Sequence, residues 1–227
     1  MQKTYIKTAD GSTTIYVSEL DETYHSRHGA INEAKHVFIA SGLYFVIDQL
    51  PKQSALSVLE IGFGTGLNAF LTCLESNALQ HSIHYTAIEA YPVAEDQLQH
   101  INFYNLIEGG VYKDIFYSLH QSDWEIQNNI SDNFSLIKQH KKFEAVEEDA
   151  QYHLIYYDAF GPRVQPDLWG ESIFSRMFKA LIPGGVLVTY CAQGKARRAM
   201  QAVGFVVERL PGPPGKREML RAVKPEF

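Results

Sequence analysis

Three acidic residues lie where their carboxylates could do chemistry. Glu60, Glu89 and Asp158 each end or closely follow an apolar run that is typical of a buried strand. In open α/β sheets, ligands bind beyond the carboxyl ends of such strands. The sequence therefore predicts one ligand site that gathers carboxylates from three strands.

A glycine-rich turn follows the first of these runs. Residues 62–68 read Gly-Phe-Gly-Thr-Gly-Leu-Asn. Alternate glycines allow positive φ and let a ligand lie against bare main chain, and the helix that follows offers unpaired backbone N–H groups. A dinucleotide site would need its third glycine where Leu67 stands, so the spacing disfavours that class of ligand. A plain turn between a strand and a helix is the alternative.

The string Glu60-x-Gly-x-Gly-x-Gly resembles motif I of S-adenosylmethionine-dependent methyltransferases, whose loop wraps the methionine part of the cofactor. An acidic Glu60 suits a ligand with a cationic end. Glu89, at the tip of the next strand, can accept hydrogen bonds from both ribose hydroxyls of a nucleoside. The expected cofactor is S-adenosylmethionine, and the residues expected to bind it are Glu60, Gly62, Phe63, Gly64, Thr65, Gly66, Asn68 and Glu89.

The third acid opens a loop, Asp158-Ala-Phe-Gly-Pro, that suits chemistry on an amine. A carboxylate can accept a hydrogen bond from the amine, and the face of Phe160 can stabilise positive charge as the nitrogen takes a methyl group. The layout resembles the D/N-P-P-F/Y loop of amine-directed methyltransferases, although the residues differ. Asp158 and Phe160 are the expected catalytic residues. A structural cap is the alternative for Asp158.

The order of apolar runs and helical periodicities predicts an α/β fold with an open, doubly wound, Rossmann-like sheet, mostly parallel with an antiparallel C-terminal strand. This is the arrangement of class I methyltransferases. Ahead of it, Asp10-Gly11 favours a hairpin, and apolar spacing over 29–50 favours a helix. We therefore expect a hairpin and helix cap in residues 1–50 and a methyltransferase domain in residues 51–227.

The middle of the chain is harder to interpret. Pro92 is expected to open a helix that runs to about residue 104. Residues 105–150 show no clear pattern apart from a strand at 134–138. Many such folds place an acid after the third strand to hold adenine, whereas residues 139–142 here read Gln-His-Lys-Lys.

Composition describes an ordinary globular chain of 227 residues, with 45% hydrophobic and 20% charged residues. No apolar run approaches the roughly 20 residues of a membrane span, and the N-terminus has no secretion signal, so we expect a cytoplasmic protein without membrane contact. The two cysteines look like reduced thiols, and no spacing indicates a metal site.

Charge is unevenly distributed. The chain carries a net charge of −6, yet residues 194–224 hold eight Lys or Arg residues against two Glu. A basic end on an acidic body can bind phosphates, although a solvated surface explains the charge equally well. The residues expected to contact a nucleic acid are Lys195, Arg197, Arg198, Lys216 and Arg217.

Longer strings make a family resemblance specific. The glycine turn, the loop at 158–162, Gln-Pro-Asp-Leu-Trp at 165–169 and Leu-Pro-Gly-Pro-Pro-Gly-Lys-Arg-Glu-Met-Leu at 210–220 resemble the MnmC-like methyltransferases. The front helix at 29–38 is similar as well. The resemblance spans nearly the whole chain apart from residues 105–150.

The resemblance implies methyl transfer to the aminomethyl nitrogen of 5-aminomethyl-2-thiouridine at the tRNA wobble position, with tRNA as substrate. Many members carry an FAD-dependent oxidase, and no second glycine fingerprint occurs before Phe227, so we expect a stand-alone methyltransferase with a separate oxidase as a candidate partner. Three alternatives remain. They are a small-molecule amine methyltransferase, a polyamine synthase, whose second loop acid is missing here, and a non-catalytic RNA-binding protein.

Overall fold

A small antiparallel sheet begins the computed structural model, which describes residues 3–50 and 54–226. The turn at Asp10 and Gly11 joins its first two strands, as expected for an Asp-Gly hairpin. The hydroxyls of Thr8 and Ser12 both donate to the Asp10 carboxylate and fix that turn. The strands are β1 (Lys3–Lys7), β2 (Thr13–Val17) and β3 (Glu22–Thr23).

A larger sheet of eight strands forms the centre of the described chain, in the order β10-β11-β9-β8-β4-β5-β7-β6. Five neighbouring strands are parallel, and β11 is antiparallel to β9. The predicted fold class, with its antiparallel C-terminal strand, is confirmed. The strands are β4 (Leu56–Ile61), β5 (Ile83–Ile88), β6 (Gln127–Ser131), β7 (Phe134–Gln139), β8 (Tyr152–Tyr157), β9 (Leu181–Thr189), β10 (Val206–Pro211) and β11 (Glu218–Val223).

Strand β4 lies at the point where the strand order reverses. The chain leaves it towards β5 on one side and later returns to β8 on the other, so the loops after β4 and β8 diverge and leave a crevice. Helices cover both faces, which is why β4 buries almost every side chain and is nearly continuous in apolar residues. This position sets where a ligand can bind.

Helices cover the large sheet on both faces. The first begins as an α-helix, becomes π-helical over Lys35–Tyr44, and ends as a short α-helix. Its Val37, Phe38 and Leu43 share one core with residues of β8 and β9. The α-helices are α1 (Ala30–Ala34), α2 (Phe45–Ile47), α3 (Leu67–Leu79), α4 (Glu95–Leu98), α5 (Phe103–Leu106), α6 (Lys113–Gln121), α7 (Glu171–Ala180) and α8 (Gly194–Ala202).

The division into a cap and a methyltransferase domain stays a proposal. Its boundary, between residues 50 and 51, borders residues 51–53, which lie outside the described residues. The helix at 30–47 nevertheless packs closely on the large sheet. A Cβ added to Gly42 would come within 2.9 Å of Val188 Cγ2 in β9, so the glycine allows this close approach.

One local expectation was wrong, and one strand was not predicted. The helix expected from Pro92 to about residue 104 is two short helices, α4 and α5, because Asn102 between them pairs with the N-terminal hairpin. Its side chain accepts from the Thr13 amide at 2.7 Å and donates to the Gly11 carbonyl at 3.0 Å. The unexpected strand β6 is a polar edge strand without an apolar run.

In the part of the chain that the structure describes, no helix is long and apolar enough to cross a membrane.

Candidate active site

A cavity of about 1130 Å³ opens beyond the carboxyl ends of β4, β5, β8 and β9. It lies at the predicted edge of the sheet and collects residues from chain segments that are far apart in sequence. Ten of the residues predicted to function line it: Gly62, Phe63, Gly64, Thr65, Asn68, Glu89, Asp158, Phe160, Lys216 and Arg217.

The glycine turn forms one wall of the cavity. Gly62 has a φ of +96°, and a Cβ there would lie 2.8 Å from the carbonyl oxygen of Asp158. Gly64 has a φ of +51° and lies against the ring of Tyr24. Both positions therefore require glycine, and the bare backbone between them forms a cradle that fits an extended ligand such as S-adenosylmethionine.

Two histidines that the sequence did not single out hold this turn through Thr65. His25 Nε2 lies 3.0 Å from the Thr65 hydroxyl, and His120 Nε2 donates to the Thr65 carbonyl oxygen at 3.1 Å. Burial lowers the pKa of each imidazole to about 4, so both rings are neutral at physiological pH. These partners lie far from Thr65 in sequence, and no local pattern could have identified them.

Glu89 closes the turn from the neighbouring strand. Its Oε2 accepts a hydrogen bond from the Gly64 amide at 2.9 Å, and its Oε1 accepts one from the Tyr91 amide at 2.8 Å. Each carboxylate oxygen keeps a lone pair for a further donor. The geometry thus leaves Glu89 able to hold ribose hydroxyls while it also fixes the turn.

The side chain of Asn68 joins the other two acids. Its Nδ2 donates to Glu60 Oε1 at 3.0 Å and to Asp158 Oδ2 at 2.8 Å. Glu60 is fully buried and does not line the cavity, so its contribution reaches the site through Asn68. Gly66 begins α3 behind the same wall and also does not line the cavity.

Burial makes both carboxyl groups harder to ionise. Desolvation and the nearby Asp158 raise the pKa of Glu60 well above its ordinary value. Desolvation also raises the pKa of Asp158 to about 7, although the hydrogen bond from Asn68 opposes the increase. Asp158 can therefore exchange a proton at neutral pH, which is the property of a general base.

Aromatic contacts hold the loop that carries Asp158. Trp169 donates its indole N–H to the Phe160 carbonyl at 2.9 Å, and Tyr190 donates its hydroxyl to the Ala159 carbonyl at 2.9 Å. The Phe160 ring packs edge-on against Tyr24, with 5.2 Å between centroids. The Pro-Asp-Leu-Trp string thus anchors the loop that follows Asp158 through Trp169, while its Pro166, Asp167 and Leu168 line the cavity.

The five basic residues do not form one group. Lys195, Arg198 and Arg217 are exposed, and Arg197 is half-buried with its Nη1 donating to Gln201 at 3.2 Å. Lys216 instead points towards Glu33, with 2.6 Å between its Nζ and Glu33 Oε1. Glu33 is buried and also lines the cavity.

Metal chemistry has no support in the described residues, where no three His, Cys, Asp or Glu side chains are placed to hold an ion. Cys73 and Cys191 are both free and buried.

Comparison with known proteins agrees with this site. A family model described as S-adenosyl-L-methionine-dependent methyltransferase matches residues 111–225. The chain belongs to this family. The cofactor predicted from the sequence is therefore confirmed as S-adenosylmethionine, and the cradle at Gly62 and Gly64 fits it.

More specific likenesses come from individual proteins. The tRNA 5-methylaminomethyl-2-thiouridine biosynthesis bifunctional protein MnmC of Hydrogenovibrio crunogenus is 28% identical over 88% of this chain and 31% of its own length. The protein with the same name from Ectopseudomonas mendocina is 29% identical over 88% of this chain and 32% of its own. The chain thus spans about a third of the length of these relatives.

Solved structures share the fold. The crystal structure of MnmC2 from Aquifex aeolicus superposes with a TM-score of 0.79 and 21% identity, covering 100% of this chain and 70% of that one. Spermidine synthase from Thermotoga maritima gives a TM-score of 0.53 and 11% identity over 100% of this chain and 72% of its own. The resemblance that the sequence motifs indicated is confirmed.

The raised pKa of Asp158 makes a prediction for stability. Because the folded protein holds this proton up to about pH 7 and the unfolded chain releases it near pH 4, its stabilising effect is lost as pH rises through that window. Asp158→Asn removes the effect. The variant should therefore gain stability over the wild type as pH rises from 4 to 7, by at most about 1.4 kcal/mol per pH unit. Urea unfolding across this range measures the difference, and a difference independent of pH would contradict the assigned pKa.

Proposed function

We propose that this chain methylates the aminomethyl nitrogen of 5-aminomethyl-2-thiouridine at the wobble position of tRNA. The observation that carries the proposal is Asp158, a carboxylate with a pKa of about 7 in a cavity that Phe160 also lines. The names of the relatives supply the substrate class, because they describe proteins that make 5-methylaminomethyl-2-thiouridine in tRNA.

The residues of the cavity have separable roles in this proposal. The backbone at Gly62 and Gly64 and the carboxylate of Glu89 would hold the cofactor. When bound, S-adenosylmethionine would supply an electrophilic methyl group to the acceptor nitrogen. Asp158 accepts the proton that the nitrogen must lose before it has a free lone pair. Phe160 presents an aromatic face to the positive charge on the nitrogen.

Alignment supplies much of the rate in such a reaction, since the cavity fixes the acceptor and excludes water. The contacts from Trp169 and Tyr190 to the backbone of the loop serve this purpose, because they fix Phe160 and Ala159, the two residues that follow Asp158. Asn68 holds the carboxylate itself. The loop thus needs no further rearrangement to present Asp158.

The tRNA would approach across the basic residues beside the cavity. Lys195 and Arg198 project from α8, whose preceding residue Gln193 lines the cavity, and Arg217 lines the cavity directly. Exposed cations here can contact phosphates while a base enters the site. Lys216 has an ion-pair partner already, so we place it at the wall of the cavity.

Two wider expectations belong to the same proposal. The relatives' names describe bifunctional proteins, and the chain matches about a third of their length. We therefore infer that an FAD-dependent oxidase, as the family resemblance implies, prepares the aminomethyl arm for this enzyme. The proposed substrate also implies that the protein acts in the cytoplasm, where tRNA is modified.

Methylation of tRNA that carries 5-aminomethyl-2-thiouridine tests the proposal. With protein and S-adenosylmethionine, nucleoside mass spectrometry should detect 5-methylaminomethyl-2-thiouridine. Asp158→Ala should lower the rate at least about 100-fold, the contribution typical of a general base, while calorimetry shows unchanged cofactor affinity. Glu147→Gln, an exposed change outside the cavity, is the matched control.

The outcomes separate the alternatives. Cofactor binding without methylation of the tRNA, but with methylation of free amines, would indicate a small-molecule enzyme. Absence of cofactor binding would indicate a non-catalytic RNA-binding protein. Full activity of Asp158→Ala would remove this residue from the reaction.

Salt dependence tests the tRNA surface. Arg198→Glu and Arg217→Glu should each weaken tRNA binding and reduce the slope of log affinity against log salt by about one, the value for one lost phosphate contact. Lys179→Glu is the control, because Lys179 lies in the last turn of α7 and does not line the cavity. Equal tRNA affinity in all three variants would indicate that these arginines belong to a solvated surface without phosphate contacts.

A further inference from the structure

An ion pair lies inside the cavity and has no part in the mechanism so far. Glu33 comes from the first helix and Lys216 from the loop between β10 and β11, with 2.6 Å between Nζ and Oε1. The Glu33 side chain is only 11% exposed and that of Lys216 is 30% exposed. Both residues line the cavity. A pair of charges held at a cavity wall suggests a role towards whatever enters.

The Lys216 ammonium also lies on an aromatic face. Its Nζ is 3.8 Å from the centroid of the Tyr190 ring, well within the range of a cation–π contact. Tyr190 in turn donates to the carbonyl of Ala159, the residue after Asp158. Glu33, Lys216 and Tyr190 therefore form one connected group that reaches the catalytic loop.

Electrostatics places Asp158 in the same neighbourhood. The charge of Glu33 raises the pKa of Asp158 and that of Lys216 lowers it, although both effects are smaller than desolvation. This end of the cavity thus sets two carboxylates against one ammonium. The arrangement favours a cation beside Glu33, which is the place that the Lys216 ammonium occupies.

An aromatic face and a carboxylate together are the surroundings that a primary alkylammonium prefers. Lys216 is itself a primary alkylammonium, and it occupies such surroundings here. The aminomethyl arm of the acceptor carries the same chemical group, which is mostly protonated at neutral pH, as lysine is.

We propose that Glu33 and the ring of Tyr190 form the binding site for the acceptor's ammonium group, and that Lys216 fills this site until the acceptor displaces it. The inference rests on the proposed function for the identity of the acceptor. The exchange makes and breaks no covalent bond. The acceptor ammonium replaces the Lys216 ammonium at Glu33, and the proton that it later loses goes to Asp158.

The exchange predicts that removing Lys216 lowers the KM for the acceptor RNA instead of raising it. Lys216→Met removes the competing cation and should lower the KM for an anticodon stem–loop RNA bearing 5-aminomethyl-2-thiouridine, by about three- to tenfold. Glu33→Gln should raise that KM about tenfold or more, the effect of losing a charge-assisted hydrogen bond. Lys216→Arg keeps a cation in place and should stay near the wild-type value.

A lysine that merely bound phosphate or braced the loop would behave differently. In either case Lys216→Met would raise the KM, and that result would overturn the proposal. A change of KM in the same direction for Lys179→Met, which lies far from the cavity, would also contradict it.

A probe that needs no activity provides an independent test. Methylammonium chloride should raise the melting temperature of Lys216→Met more than sodium chloride of equal ionic strength does. The double variant Glu33→Gln/Lys216→Met should lose this extra stabilisation, and it also removes the unpaired Glu33 charge that could destabilise the single variant. If methylammonium raised the melting temperature of both variants equally, the ammonium site would be overturned.

Together, the KM measurements and the methylammonium experiment distinguish failure of this inference from failure of the proposed function. If the wild type does not methylate the RNA but Lys216→Met responds specifically to methylammonium, the ammonium site stands and the tRNA substrate does not. If the wild type methylates the RNA while Lys216→Met raises the KM and shows no methylammonium response, the function stands and this inference fails.

Discussion

The amide of Asn68 is the contact on which the site depends. It donates at once to Glu60 and to Asp158, two carboxyl groups that burial and mutual repulsion would otherwise keep protonated or drive apart. Because Asn68 lies in the first turn of α3, directly after the glycine turn, a single side chain joins the glycine-turn wall of the cavity to Asp158. The arrangement links the binding of one ligand to the position of the group that acts on the other.

Other side chains fix the two segments that Asn68 joins, the glycine turn and the loop after Asp158. His25 and His120 hold Thr65 from opposite sides, and both are neutral, so they add no charge to a site that must accept cations. Trp169 fixes the loop that follows Asp158. The N-terminal hairpin and helix supply His25 and Glu33, which makes this part of the chain a contributor to the site and not only a cover over it.

Local patterns were enough to predict the parallel sheet, the glycine turn and the three acids, since apolar runs and glycine spacing report directly on buried strands and tight turns. The same patterns could not identify His25, His120 or Glu33, because each acts through a partner distant in sequence. Lys216 shows most clearly what a local sequence pattern cannot predict. Its place in a basic stretch suggested phosphate binding, whereas its contacts are a buried carboxylate and an aromatic ring. Strand β6 escaped prediction because an edge strand needs no apolar run.

The proposed reaction requires Asp158 to exchange a proton at neutral pH, with a pKa that burial raises and the hydrogen bond from Asn68 lowers. A carbon-13 NMR titration of the Asp158 carboxyl group measures it directly, with Asp158→Asn used to assign the signal. The account predicts a midpoint near pH 7 in the wild type and a higher midpoint in Asn68→Ala, which loses the opposing hydrogen bond. A midpoint near 4 in the wild type, the ordinary value for aspartate, or no change in the variant, would contradict it.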